Sequence, residues 1–223
     1  STPFSAISIS WGATEISWGE SNMNAFNALF AQAVTKGITV FAASGDNGST
    51  DGVDDGQQHV DFPASSPNVI ACGGTYLVCP SRTYSAVTTQ ETGWTGSGGG
   101  YSSLFAPKSY QGNAIAGLSI TNKRCVPDVA GLADPNSGWV IYLRNTLYAV
   151  GGTSAVSPMW SALWANCLGT KARKFAGPTL YNGYAPQYHD IKLGDNGEYT
   201  ANTNYDLCTG LGTPIGTNLK TKV

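Results

Sequence analysis

The chain has 223 residues, 41% of them hydrophobic and 12% charged, with a formal net charge of −2. That charged share is about half the average for globular proteins. With no basic run, nucleic acid is not an expected partner. The apolar content excludes disorder despite 28 glycines and 11 prolines, and the longest apolar run, Ile38–Ala43 interrupted by Thr39, is far too short to span a membrane.

In chain order, residues 5–10 alternate and lean toward β-branched types, which predicts a strand ending at Trp11-Gly12. From Asn22 to Lys36, Met23, Phe26, Leu29, Phe30, Ala33 and Val34 recur at three-four spacing, an amphipathic helix closed by Gly37. Ile38–Ala43 reads as a buried strand, and this strand–helix–strand unit predicts a right-handed crossover between parallel strands. Val69–Cys72 is a further short strand. Residues 92–103 are rich in Gly and Ser around Ser97-Gly98-Gly99-Gly100, backbone that another chain can approach closely. Trp139–Leu143 and Leu147–Val150 form a hairpin around Arg144-Asn145, and Ser154–Leu168 is a second helix with Pro158 near its first turn. Without repeats or linkers, residues 1–223 read as a single α/β domain with a mostly parallel sheet. Active groups are then expected at the carboxyl ends of strands.

The segment Gly151-Gly152-Thr153-Ser154-Ala155-Val156-Ser157-Pro158 delivers a serine to the start of an apolar helix. There, backbone N–H groups and the helix dipole favour developing negative charge, which suits an acyl-transfer nucleophile as well as a plain N-cap. A second turn, Ala43-Ser44-Gly45-Asp46-Asn47-Gly48, follows the buried strand.

Together these segments resemble the subtilisin-like superfamily, in which a Gly-Thr-Ser-x-x-x-Pro turn carries the nucleophile and an asparagine after a strand completes the oxyanion hole. Asp46 in that asparagine's place resembles the sedolisin family, the serine-carboxyl peptidases, and its kumamolisin-type members. Further similar segments are Ser8-Ile9-Ser10-Trp11-Gly12, His59-Val60-Asp61-Phe62-Pro63, Ala71-Cys72-Gly73-Gly74-Thr75, Val126-Pro127-Asp128, His189-Asp190-Ile191 and Tyr205-Asp206-Leu207. The resemblance implies a subtilisin-like fold and peptide-bond hydrolysis through an acyl-enzyme on Ser154. Asp46, while protonated, would donate a hydrogen bond to the oxyanion, and activity would fall as pH rises. It implies that Trp11 supports the hydrogen-bond chain to the catalytic carboxylate. Ser10 and Gly12 would pair with substrate backbone, with Asp61, Ser97, Gly98 and Gly99 in the substrate cleft. It also implies Ca2+ held by carboxylates of Asp190 and Asp206 and carbonyls of Ile191, Asn202 and Asn204.

The family's base is a glutamate with an aspartate four residues later. The glutamates here, Glu15, Glu20, Glu91 and Glu198, are followed at that spacing by Gly19, Asn24, Thr95 and Asn202. The chain is therefore expected to be the C-terminal portion of the catalytic domain, lacking its leading part, with the Glu/Asp pair on an N-terminal segment or a second chain of the same precursor. The alternative is a non-catalytic, calcium-stabilised module that binds peptide without cleaving it. A neutral esterase is disfavoured because no Gly-x-Ser-x-Gly elbow is present. The chain opens on Ser1-Thr2-Pro3-Phe4 as a processed fragment would, and the expected location is secreted or an acidic, lysosome-like compartment. The cysteines at 72, 79, 125, 167 and 208 are odd in number, so at least one lacks a partner within the chain, while some disulfides are expected in a secreted protein. They contain no Cys-x-x-Cys that would point to zinc.

Overall fold

The computed structural model describes residues 4–80 and 89–223. Its centre is a five-stranded sheet. Strand β1 (Ala6–Ile9) leads through helix α1 (Glu20–Thr35) to β2 (Thr39–Ala43). β1 and β2 run parallel with Ile7 opposite Val40, as the crossover predicted. β2 in turn pairs in parallel with β3 (Ile70–Val78), Ala43 opposite Cys72. β3 then pairs antiparallel with β4 (Gln90–Gly93) and parallel with β5 (Val129–Leu132).

β2 is buried along its whole length because both faces of the sheet are covered. Val40 and Ala42 face one core with Met23 and Phe30 of α1. Phe41 faces the other core, where Val156, Trp160 and Trp164 of helix α2 (Thr153–Leu168) pack at four-residue intervals. A period of two on the strand thus meets a period of about 3.6 on each helix.

Between β5 and α2 stands the hairpin of β6 (Trp139–Leu143) and β7 (Thr146–Val150). Arg144 and Asn145 have φ of 48° and 65°, the two positive values of a tight two-residue hairpin turn. The expected hairpin is therefore present. Among the described residues, no helix is long and apolar enough to cross a membrane.

Two expectations are corrected. The strand predicted to stop at Cys72 continues to Val78. Gly73 and Gly74 concealed it, because both stand where a side chain would collide, with Pro127 and Trp94 respectively. Disulfides are absent as well: all five cysteines are free, and all but Cys79 are buried.

Candidate active site

The site forms where β1 and β2 end and α2 begins, at the carboxyl edge of the sheet. A cleft of about 420 Å3 is lined by Ser10, Trp11 and Gly12 after β1, by Asp46 and Asp51 after β2, by Asp61, and by Thr153 and Ser154. Ser154 and Asp46, 108 positions apart along the chain, are drawn together because α2 packs directly beneath β1 and β2.

Gly152, with φ of 104°, turns the chain into α2. Thr153 then anchors the second turn. Its backbone N–H and its hydroxyl both donate to Oδ1 of Asp46, at 2.7 and 2.8 Å. The same hydroxyl accepts from the Gly45 N–H at 3.2 Å. A Cβ on Gly152 would lie 2.6 Å from Asp46 Oδ2, so only glycine leaves that oxygen room.

Ser154 donates its hydroxyl to the Ser10 carbonyl at 3.1 Å, and the Ser10 hydroxyl donates to the Ser154 carbonyl at 2.8 Å. The contact continues down α2. Ser157 donates to the Ile9 carbonyl at 3.1 Å and Ser161 to the Ile7 carbonyl at 3.3 Å. β1 carries strand pairing with β2 alone among the described strands, and these serines satisfy carbonyls along it.

The acidic wall of the cleft holds a pair of carboxyls. Asp61 is only 6% exposed. Burial, then the charge of Asp51, pushes its carboxyl up to about 9. Burial also raises Asp51, whose carboxyl lines the same cleft as that of Asp61. Asp51 Oδ2 and Asp61 Oδ1 are buried without a hydrogen-bond partner among the described residues. Gly12 allows the close approach of Asp61, whose Oδ2 would lie 2.6 Å from a Cβ there. Asp51 was not singled out from sequence. The available signal was its Asp-Gly turn five residues after Asp46, and Asp51 indeed adopts a left-handed φ of 50°.

Trp11 is 55% exposed, so it is no core residue. Its ring stacks on Trp18 at 6.0 Å between centroids, and both tryptophans line a second hollow that continues from the cleft past Ser17.

Ser97, Gly98 and Gly99, expected in the substrate cleft, are not among the residues that line this hollow. Ser97 is fully buried, accepting from the Gly74 N–H and donating to the Cys208 carbonyl, each at 2.9 Å. A Cβ on Gly98 would strike the Ser44 carbonyl and one on Gly99 the Leu207 carbonyl, each at 1.9 Å. The close approach that glycine allows here is to the protein's own backbone. The histidines stand apart from Ser154: His59 pairs with Asp55 at 3.0 Å, and His189 with Glu91 at 3.1 Å.

The predicted metal residues gather in one C-terminal loop. Asp206 Oδ2 accepts from the Asn202 N–H at 3.0 Å and Asp190 Oδ2 from the Asn204 N–H at 3.2 Å. Asn204 takes the left-handed φ of 68° that asparagine tolerates, and Ile191 is buried beside the loop in a small cluster with Ala201 and Cys208. Burial raises Asp206 to about 6. Among the described residues no group of three or more His, Cys, Asp or Glu gathers as a metal cluster. Asp190 and Asp206 bring two hard carboxylate oxygen donors to this loop, the donor chemistry that Ca2+ takes.

No family model matches the chain. Kumamolisin of Bacillus sp. (strain MN-32) is 44% identical over 96% of this chain, which spans 42% of that relative. Sedolisin of Pseudomonas sp. (strain 101) is 33% identical over 92% of the chain, which spans 38% of it. The solved structure of Pseudomonas sedolisin, a serine-carboxyl proteinase complexed with two molecules of pseudo-iodotyrostatin, superposes with a TM-score of 0.87 at 32% identity, covering 97% of this chain and 64% of that one. Sphericase, at 19% identity and a TM-score of 0.58 over 94% of this chain and 56% of that one, shares the subtilisin-like fold.

Proposed function

This chain belongs to the sedolisin family, whose C-terminal catalytic region it carries, and from that premise we propose that it is the nucleophile-bearing part of an acid-acting serine-carboxyl endopeptidase. The observation that supports this reading above all is that Ser154 and Asp46 line one cleft. Ser154 Oγ attacks the peptide carbonyl carbon while its proton passes to a carboxylate base. The carbonyl oxygen becomes an oxyanion, and the O–H of Asp46 donates to it. An ionised Asp46 would repel that oxygen, so turnover belongs to acid, where an aspartate carries its proton. A carboxylate base suits the same medium, since imidazole is already charged there. Trp11 and the segment Ser10–Gly12 border the peptide, and the acidic Asp51–Asp61 wall of the cleft favours basic or hydrogen-bonding side chains.

The base comes from a Glu/Asp pair on an N-terminal segment or second chain of the precursor. Support comes from β1, which has strand pairing with β2 alone among the described strands and leaves Ile7 and Trp11 exposed, and from the part of its relatives' length that the chain spans. Asp190 and Asp206, with the carbonyls of Ile191, Asn202 and Asn204, would hold Ca2+, which would brace the C-terminal loop. A secreted or lysosome-like location follows from acid action.

The bond from Ser154 to the Ser10 carbonyl, with no base receiving its proton, favours a second reading, a module that binds peptide without cleaving it. Labelling with a peptide aldehyde or fluorophosphonate in acid decides between them. An adduct on Ser154, lost in S154A, supports the peptidase. Its absence in every preparation, including those that retain an N-terminal partner segment, supports the binding module.

A further inference from the structure

Thr153 is a candidate that the nucleophile–oxyanion assignment leaves unexplained. It is fully buried, yet two of its donors converge on a single atom. Oδ1 of Asp46 accepts the Thr153 N–H at 2.7 Å and the Thr153 hydroxyl at 2.8 Å. A carboxyl oxygen with two donors aimed at it is a committed acceptor, because a proton placed on it would confront both. The other oxygen, Oδ2, stands over Gly152, where the missing side chain leaves backbone beside Ser154 and the cleft. The Thr153 hydroxyl accepts from the Gly45 N–H at 3.2 Å. Its single proton has two acceptors in reach, Asp46 Oδ1 at 2.8 Å and the Gly45 carbonyl at 3.1 Å, of which Asp46, a carboxyl of the cleft, is the nearer.

We propose that Thr153 is a positioning residue that fixes which oxygen of Asp46 carries the proton: by saturating Oδ1 it directs the proton to Oδ2, toward the oxyanion beside Ser154. This rests on the reading of Asp46 as the oxyanion donor and adds what makes that donor directional. A free carboxyl would place its proton on either oxygen and rotate, losing the preorganisation on which oxyanion stabilisation depends. The charged and titratable groups facing this corner are Asp51 and Asp61, which couple electrically to Asp46, and His59, which couples to Asp51. None of them forms a hydrogen bond to Oδ1.

The test compares T153V, T153S and D46A in the full chain, with its partner segment where turnover is measured. T153V keeps the backbone donor and the side-chain shape but removes the hydroxyl. Its kcat in acid falls about tenfold with KM within about twofold, a smaller loss than removing an oxyanion donor altogether. T153S, which restores the hydroxyl, recovers kcat to within about threefold. Independently of turnover, infrared spectra of the 13C-aspartate-labelled chain in acid contain a protonated-carboxyl band that disappears in D46N. In T153V that band moves to higher wavenumber, because its carbonyl oxygen has lost a donor, and T153S returns it. Unchanged kcat and an unchanged band in T153V overturn the proposal, as does a T153S variant as impaired as T153V. If D46A turns over like the parent, the oxyanion reading itself fails. If D46A is impaired and T153V is not, only the role of Thr153 fails.

Discussion

Ser10 supplies the hydrogen bond that Pro158 withholds. In a helix the carbonyl of residue 154 would accept from the N–H of residue 158, and proline has none. The Ser10 hydroxyl reaches that carbonyl at 2.8 Å, so the proline inside α2 is matched by a serine just after β1. The same exchange fixes Ser154, whose own hydroxyl goes to the Ser10 carbonyl. We predict that S10A destabilises the fold by about 1 kcal/mol and that the loss shrinks in a P158A background, where the helix regains its own donor. A double-mutant cycle by chemical denaturation measures the coupling. Equal losses in both backgrounds would show that the two residues act independently.

Asp51 and Asp61 give stability a pH dependence of definite sign. Asp61 is pushed up to about 9, by burial first and then by Asp51. Above the ordinary aspartate range the unfolded chain has released this proton while the folded chain retains it. Stability is therefore expected to fall as pH rises from about 4 to about 9, with a slope from Asp61 of no more than about 1.4 kcal/mol per pH unit. D61N removes the titrating group and flattens that slope. Denaturation midpoints collected across this range provide the check, and a wild-type and D61N pair with parallel profiles would refute it.

Gly152 is required by conformation and by space. Its φ of 104° is strained for any residue with a side chain, and a Cβ would meet Asp46 Oδ2 at 2.6 Å. G152A is expected to cost about 1–3 kcal/mol of stability and to displace Asp46 from the cleft, lowering the rate of Ser154 labelling. An alanine variant with unaltered melting and labelling would contradict the geometry.

Arg124 and Asp128 form a fully buried ion pair. Asp128 also accepts from the Ala71 N–H and the Tyr181 hydroxyl, each at 2.6 Å, so it ties β3 to the segment before β5. Removing one partner leaves the other charge buried alone. D128A should therefore destabilise by about 3–5 kcal/mol, measured by urea unfolding. A loss below about 1 kcal/mol would mean that the pair is solvated in solution.

Calcium at the C-terminal loop predicts a ligand-dependent melting temperature. At 100 times its Kd, Ca2+ should stabilise the fold by about 2.7 kcal/mol, with the gain reversed by chelation and diminished in D190N and D206N. Melting that is indifferent to Ca2+ and to chelator would remove the metal from the proposal.

How much of this was legible in the sequence differs from residue to residue. The helix at α1 and the hairpin turn at Arg144-Asn145 were readable because local periodicity and turn chemistry fix them. The short strand β5 was not, since four residues flanked by Pro127 carry no period of their own, and it exists only because β3 lies beside it.

The sequence by itself determined the α/β order, the two turns that carry Ser154 and Asp46, and the family to which they belong, because each depends on residues adjacent along the chain. Only the tertiary structure decided that Asp51 meets Asp61, that Ser10 completes the turn at Pro158, and that Ser97–Gly99 pack inward. Those contacts join separate segments, and their partners are set by how helices and sheet stack rather than by spacing in the chain.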